Sequence, residues 1–157
     1  MIDRDLAFPL LGFDKIGDFR VFDSVEDFGR LARHEVKGGG WVDGLIVDAS
    51  GKACRIEAVE AVRDPSESWW TRTLGIGRSW DVPVAVRLGP VESISPDTLK
   101  QKVRYALETY WEVLDDGAFE GGADPSITVS DRLDQLELAE TIDGVFSIAS
   151  GASAELR

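Results

Sequence analysis

Two runs rich in valine, isoleucine and aromatic residues, Trp41 to Val47 and Ala53 to Val62, flank the segment Asp48-Ala49-Ser50-Gly51-Lys52. β-branched and aromatic side chains suit a pleated, half-buried surface, and Asp, Ser and Gly suit a tight chain reversal, so the stretch predicts a β-hairpin. Leu45 and Val47, then Cys54, Ile56 and Ala58, fall on its inward faces. Such a pair must bury its apolar face against other elements, and the rest of the chain has to supply them.

The residues before the hairpin read less clearly. The opening through about Gly17 yields no assignment. Asp18 to Phe22 alternates polar and apolar and predicts a short strand. Ser24-Val25-Glu26-Asp27 resembles a capping signal ahead of Phe28, Leu31 and Ala32, which predicts a helix of about nine residues. Gly38-Gly39-Gly40 ends it, because three glycines cost too much backbone entropy inside a regular element.

After the hairpin, residues 64–80 have the Pro, Gly and adjacent tryptophans of a long loop or irregular helix. Val82, Val84, Val86 and Leu88 alternate with other residues, and the pattern continues beyond Gly89-Pro90, which predicts a strand with a kink or bulge. Ser95-Pro96-Asp97 opens a helix, since serine caps orphan amides and proline suits the first helical position. Leu99, Val103, Ala106, Leu107, Tyr110, Val113 and Leu114 follow at the spacing of one buried face, so this helix runs to about Asp115. Ser130 to about Thr141 reads as a helix with Leu133, Leu136 and Leu138 apolar, followed by a strand at Val145–Ile148; a terminal hairpin competes. The fold class expected is α+β: a mostly antiparallel sheet of about four to five strands with two or three helices packed against it, in one domain over residues 1–157.

Cys54 is the only cysteine, which excludes an intrachain disulfide and fits a reducing cytoplasm. The first apolar run, Leu6 to Phe13, contains Pro9 and has no basic flank, unlike a signal peptide. No stretch approaches the roughly 18 apolar residues of a membrane span. Cytoplasmic localisation is expected.

Complete catalytic and metal motifs are missing. His34 is the only histidine, and its place near the predicted helix end suits a surface or capping role. His34-Glu35 lacks the second histidine or Cys-x-x-Cys of zinc enzymes, and the chain has no Gly-x-Ser-x-Gly elbow. Gly38-Gly39-Gly40 and Leu74-Gly75-Ile76-Gly77-Arg78 match neither a phosphate loop nor a dinucleotide turn. Asp131-Arg132-Leu133-Asp134 lacks the alternation of a calcium loop. No enzyme activity, metal or cofactor is expected.

Charge is the informative feature. The chain has 17 basic and 29 acidic residues, a net charge of −12, which opposes binding to nucleic acid or an anionic membrane and favours a basic partner. Residues 1–107 hold 17 acids and 15 bases, whereas residues 108–157 hold 12 acids against Arg132 and Arg157. On the long helix, Lys100, Lys102 and Arg104 lie in the first half while Glu108, Glu112, Asp115 and Asp116 crowd the carboxyl end, where the macrodipole is already negative and each exposed acid costs about 0.3–1 kcal/mol. Asp131, Asp134, Glu137 and Glu140 repeat every three residues, a spacing at which like charges repel. A locally unfavourable arrangement directs attention to function, because solubility alone is served by mixing both signs over a surface.

In size, acidity and α+β layout the chain resembles the immunity proteins of bacterial toxin systems, small acidic cytoplasmic proteins that block a cognate toxin, often a basic nuclease. The resemblance covers the whole chain in general character and brings no signature motif. It implies an inhibitor that occludes its partner. The partner-binding residues nominated on the charge argument are Glu108, Glu112, Asp115, Asp116, Glu120, Asp131, Asp134, Glu137 and Glu140, with Trp69 or Trp70 as apolar anchor. The alternative is a small-molecule-binding or regulatory domain with a tryptophan-lined pocket.

Overall fold

The computed structural model describes residues 6–62, 81–115 and 129–155, with side chains described as far as Thr109 in the second stretch and Gly151 in the third. The elements are β1 (Leu10–Phe13), β2 (Phe19–Phe22), α1 (Val25–Phe28), β3 (Arg30–Ala32), α2 (Arg33–Gly38), β4 (Leu45–Asp48), β5 (Lys52–Ala61), β6 (Asp81–Ser93), α3 (Pro96–Asp115), α4 (Val129–Leu138) and α5 (Ile142–Glu155). The fold is α+β and antiparallel, with more strands and helices than the sequence suggests: six strands in the order β2-β1-β4-β5-β6-β3, and five helices, among the described residues.

The two unforeseen strands are short and lack alternation. In β1 all four residues are buried. It pairs with β2 on one side, Leu11 opposite Val21, and with β4 on the other, Leu11 opposite Val47. A strand covered on both faces shows no polar–apolar period, which is why Leu10–Phe13 carries no strand signature. β3 interrupts the predicted nine-residue helix. Ser24 does cap it, its Oγ accepting the Asp27 N–H at 3.2 Å, but the helix stops after one turn. Gly29 then accepts the Val84 N–H through its carbonyl at 2.9 Å, and Arg30–Ala32 pairs with Asp81–Pro83 of β6. Strand pairing with a distant segment outcompetes local helix continuation. The glycine run ends α2 as expected, with Gly39 in the left-handed region at φ 62°.

The hairpin forms between β4 and β5, yet Trp41–Asp43 makes a turn before it rather than its first residues. β4 is buried on both faces, with Ile46 on one side and Val47 on the other. Gly89-Pro90 supplies the expected bulge: Cys54 faces Val91 and Ile56 faces Leu88, leaving one extra residue on β6. α3 starts at Pro96, with Ser95 Oγ accepting the Thr98 N–H at 3.2 Å, and buries Leu99, Val103, Ala106 and Leu107. The expected strand at Val145–Ile148 is instead part of α5. Thr141 Oγ1 accepts the Gly144 N–H at 3.1 Å and so caps that helix, and Val145, Phe146 and Ala149 are buried at helical spacing. Leu138, assigned to an apolar face, is 82% exposed.

The sheet separates two cores. Leu11, Phe13, Phe19, Val21, Val47 and Ala53 face α3, α4 and α5. Leu10, Phe22, Phe28, Leu31, Trp41, Ile46, Ile56, Val84 and Val86 form an aromatic-rich cluster on the opposite face. A flat six-stranded sheet would hold its edge strands roughly 24 Å apart. β2 and β3 are those edges, and the connection between them includes the single turn of α1, which rises only about 1.5 Å per residue. The sheet therefore curls, and the curl encloses the aromatic cluster. Gly12 makes room at its centre, since a Cβ there would lie 2.7 Å from Phe22 Cε2 and 2.8 Å from Trp41 Cζ3.

Asp48 is the one buried charged residue among those described. Burial pushes its carboxyl up, but hydrogen bonds from the Ser50 hydroxyl and from the backbone N–H groups of Lys52, Ala7 and Ser50 outweigh burial and hold it below the ordinary carboxylate value. Oδ1 accepts from Ser50 Oγ at 2.7 Å, Ser50 N at 2.9 Å and Lys52 N at 2.8 Å, and Oδ2 accepts from Ala7 N at 3.2 Å. Asp48→Ala strands three backbone donors and is expected to cost about 3 kcal/mol at neutral pH. A depressed folded pKa contributes stability above the unfolded value of about 3.8 that is lost as pH falls through the folded value. The gap in urea midpoint between wild type and variant should therefore narrow as pH falls below about 4; a pH-independent gap would refute the assignment.

Candidate functional site

α3 has two outward aspects. Lys100, Arg104 and Glu108 succeed one another at intervals of four and face α4. With Asp97, Gln101, Tyr105 and Glu137 they line a groove of about 450 Å³. Glu137 is held twice there: the Arg104 guanidinium pairs with its carboxylate, and Lys100 Nζ donates to its backbone carbonyl at 3.1 Å. A cation placed on the last carbonyls of α4 is favourable against the negative helix end. The bases in the first half of α3, unfavourable when that helix is considered alone, thus serve the neighbouring helix.

The other aspect of α3 faces the β1–β2 turn. Gln101, Lys102 and Tyr105, with Phe13, Asp14, Lys15, Ile16, Asp43 and Leu45 among others, line a second groove of about 550 Å³. The turn is rigidly built. Asp14 Oδ1 accepts the Ile16 and Asp18 N–H groups, each at 2.9 Å, and Lys15 N donates to the Gly40 carbonyl at 3.0 Å. Gly17 packs against the Tyr105 ring. Burial pushes the Asp18 carboxyl up; a hydrogen bond from the Phe19 backbone opposes this, and the charges of Asp14 and Glu35 add to it.

Of the nominated residues, Glu108 and Glu137 share the first groove. Glu108, Asp134 and Glu140 are exposed and make no hydrogen bond or ion pair among the described residues, whereas Glu137 is engaged by Arg104. Asp131 is exposed on α4, one turn from Asp134. Glu112 and Asp115 lie on the last turns of α3, with side chains outside the described residues, as are Asp116, Glu120, Trp69 and Trp70 altogether. Glu108 and Glu137 come from two helices that pack together, and they are the nominated acids that the described residues bring into one groove. Sequence reasoning missed Tyr105 and Leu138, which are 55% and 82% exposed and offer apolar contact beside those acids. It also missed the second groove, whose residues come from three distant segments and carry no local motif.

His34 is exposed on α2, Cys54 is buried in β5, and Trp41 packs on Phe22 in the aromatic core with ring centroids 5.5 Å apart. Among the described residues, no group of three His, Cys, Asp or Glu is placed to hold a metal ion, and no helix is long and apolar enough to cross a membrane. No family model, no curated protein and no solved structure matches the chain.

Arg104 and Glu137 are both substantially exposed. A double-mutant cycle with Arg104→Ala and Glu137→Ala should return a coupling of about 0.2–1 kcal/mol that salt diminishes; a larger, salt-insensitive value would contradict a surface bridge. Asp18 supplies an opposite pH signature. Its raised folded pKa gives a contribution present below the unfolded value and lost as pH rises through the folded one. Asp18→Asn should therefore melt higher than wild type at neutral pH, with the gain vanishing as the solution is acidified.

Proposed function

We propose that this protein is an immunity-type inhibitor: it binds a basic cognate protein, of the nuclease-toxin kind, across the α3–α4 side and blocks it by occlusion. The observation that carries the reading is how the charges of that side are disposed. The cations that line its groove, Lys100 and Arg104, are both engaged within the chain on Glu137. Glu108 and Asp134 are exposed, and their carboxylates have no partner among the described residues. An acidic side whose own bases are occupied steers a cationic partner and raises its association rate. In this reading Asp131, Glu137 and Glu140 add to the charge from the α4 side, and Glu112, Asp115, Asp116 and Glu120, which follow Glu108 in sequence, are proposed to take part as well.

Leu138 and Tyr105 supply apolar area beside these acids, so hydrophobic contact does not depend on Trp69 or Trp70 alone. In this reading the carboxylates act by position and charge and no covalent chemistry is required. The bound partner is excluded from its target by occupied surface.

The test is capture from the native cell at low and moderate salt. Three baits are used: wild type, a variant with Glu108, Glu112, Asp115 and Asp116 reversed to Lys, and a variant with Asp131 and Asp134 reversed. Wild type should retain a basic protein that salt releases, and each reversal should weaken retention at least tenfold. Equal retention by all three, or none by wild type, would overturn the reading.

A further inference from the structure

Four charged residues line the groove between the β1–β2 turn, the turn before β4 and α3: the Asp14 carboxylate closes its own turn and Lys15 Nζ donates to the Gly38 carbonyl at 3.5 Å, which leaves Asp43 and Lys102. Asp43 is exposed and its carboxylate has no hydrogen bond or ion pair among the described residues. Its backbone is fixed, with φ 67° and its N–H donating to the Ile56 carbonyl at 2.9 Å. Lys102 on α3 has no ion pair among the described residues; its ammonium lies 6.0 Å from the centroid of the Phe13 ring. Gln101 beside it keeps an amide without partners. Between the charges the lining is apolar and aromatic: Phe13 and Leu45 below, and Ile16 and Tyr105, 61% and 55% exposed, at the sides.

Binding pockets combine apolar walls with a few convergent polar groups that fix orientation. Here the two charges not committed to the turn itself are Asp43, before β4, and Lys102, on α3, a pair that selects a ligand carrying both signs with an apolar body beside them. We propose that this groove binds a small zwitterion, an α-amino acid or short peptide with an apolar side chain. Its ammonium meets Asp43, its carboxylate meets Lys102 with help from the Gln101 amide, and its side chain lies against Leu45, Ile16 and Tyr105. The walls are preorganised, since the turn bearing Ile16 is closed by the Asp14 carboxylate and the turn bearing Asp43 is tied to β5. Gln101 and Tyr105 also line the α3–α4 groove, but Asp43 and Lys102 do not, so the tests at those two positions separate this site from the acidic side.

The test is an amide-resonance titration of the whole protein with L-phenylalanine, N-acetyl-phenylalanine, phenylalaninamide and the dipeptide Leu-Phe. Resonances of Gly17, Leu45, Gln101 and Tyr105 should shift with phenylalanine or Leu-Phe, and each blocked form should bind about tenfold more weakly than phenylalanine, the loss expected for one charged hydrogen-bonding partner. Asp43→Asn, chosen because asparagine tolerates the left-handed region, should weaken phenylalanine but leave the already weak N-acetyl form unchanged. Lys102→Met should do the converse with the amide. Both positions are exposed, and the variants' own spectra report whether the fold is kept. Absence of shifts for both zwitterions up to about 10 mM, shifts outside the groove, or equal binding of blocked and free forms would overturn the proposal.

Discussion

The carboxylate of Asp48 ties together the parts of the chain that the centre of the sheet is made from. It ends β4, stands opposite Leu10 of β1, closes the turn into β5 through Ser50 and Lys52, and holds Ala7 just ahead of β1. A buried charge with no cation beside it is costly, and it persists here because donors surround it. Those donors are backbone amides at sequence positions that nothing else satisfies, so the carboxylate and the two segments it fastens stabilise one another. β1 can then sit between β2 and β4 as an inner strand, and every later layer is built on that placement.

From β1 outward, alternation does the sorting. Leu10 and Gly12 turn to the curled, aromatic side, Leu11 and Phe13 to the helices, and in β2 Phe22 and Val21 divide in the same way. Curling requires close approach at its centre, which Gly12 permits beneath Phe22 and Trp41. α3, α4 and α5 cover the other face with the residues that helical spacing brings together. The two interiors share the sheet but have separate side-chain clusters.

How far the sequence revealed this depended on whether an element's environment was asymmetric. α3 was legible from cap to end because one face is buried and one wet, and the β4–β5 turn was legible because Asp, Ser and Gly have few other uses in that order. β1 and β4 are buried on both faces and so lost their period, while β3 and the division of the predicted nine-residue helix depend on pairing with β6, some fifty residues away. Val145–Ile148 alternates as a strand would, yet Thr141 caps it as a helix and the contact of α5 with α3 and α4 decides the matter. For the candidate surfaces, the excess of acid in residues 108–157 was readable by counting. That Lys100 and Arg104 would be spent on Glu137 was not, because the order of charges along one helix is silent about the helix beside it. Asp43, Ile16 and Lys102 meet only through the tertiary fold.

The bridge from Arg104 to Glu137 gives the α3–α4 side a resident rival. A tethered guanidinium acts at an effective concentration that no dilution lowers, so an arriving cation gains at Glu137 only what exceeds the contact it displaces. A diffuse polycation, offering one loosely placed charge at a time, is at a disadvantage in that exchange. Under the proposed function, a folded surface presenting several guanidiniums in fixed register would meet Glu108 and Asp134 while it competed for Glu137, and Arg104, once displaced, would be released toward carboxylates on the incoming molecule. A weak surface bridge of this kind filters for shape among molecules that share the same sign of charge.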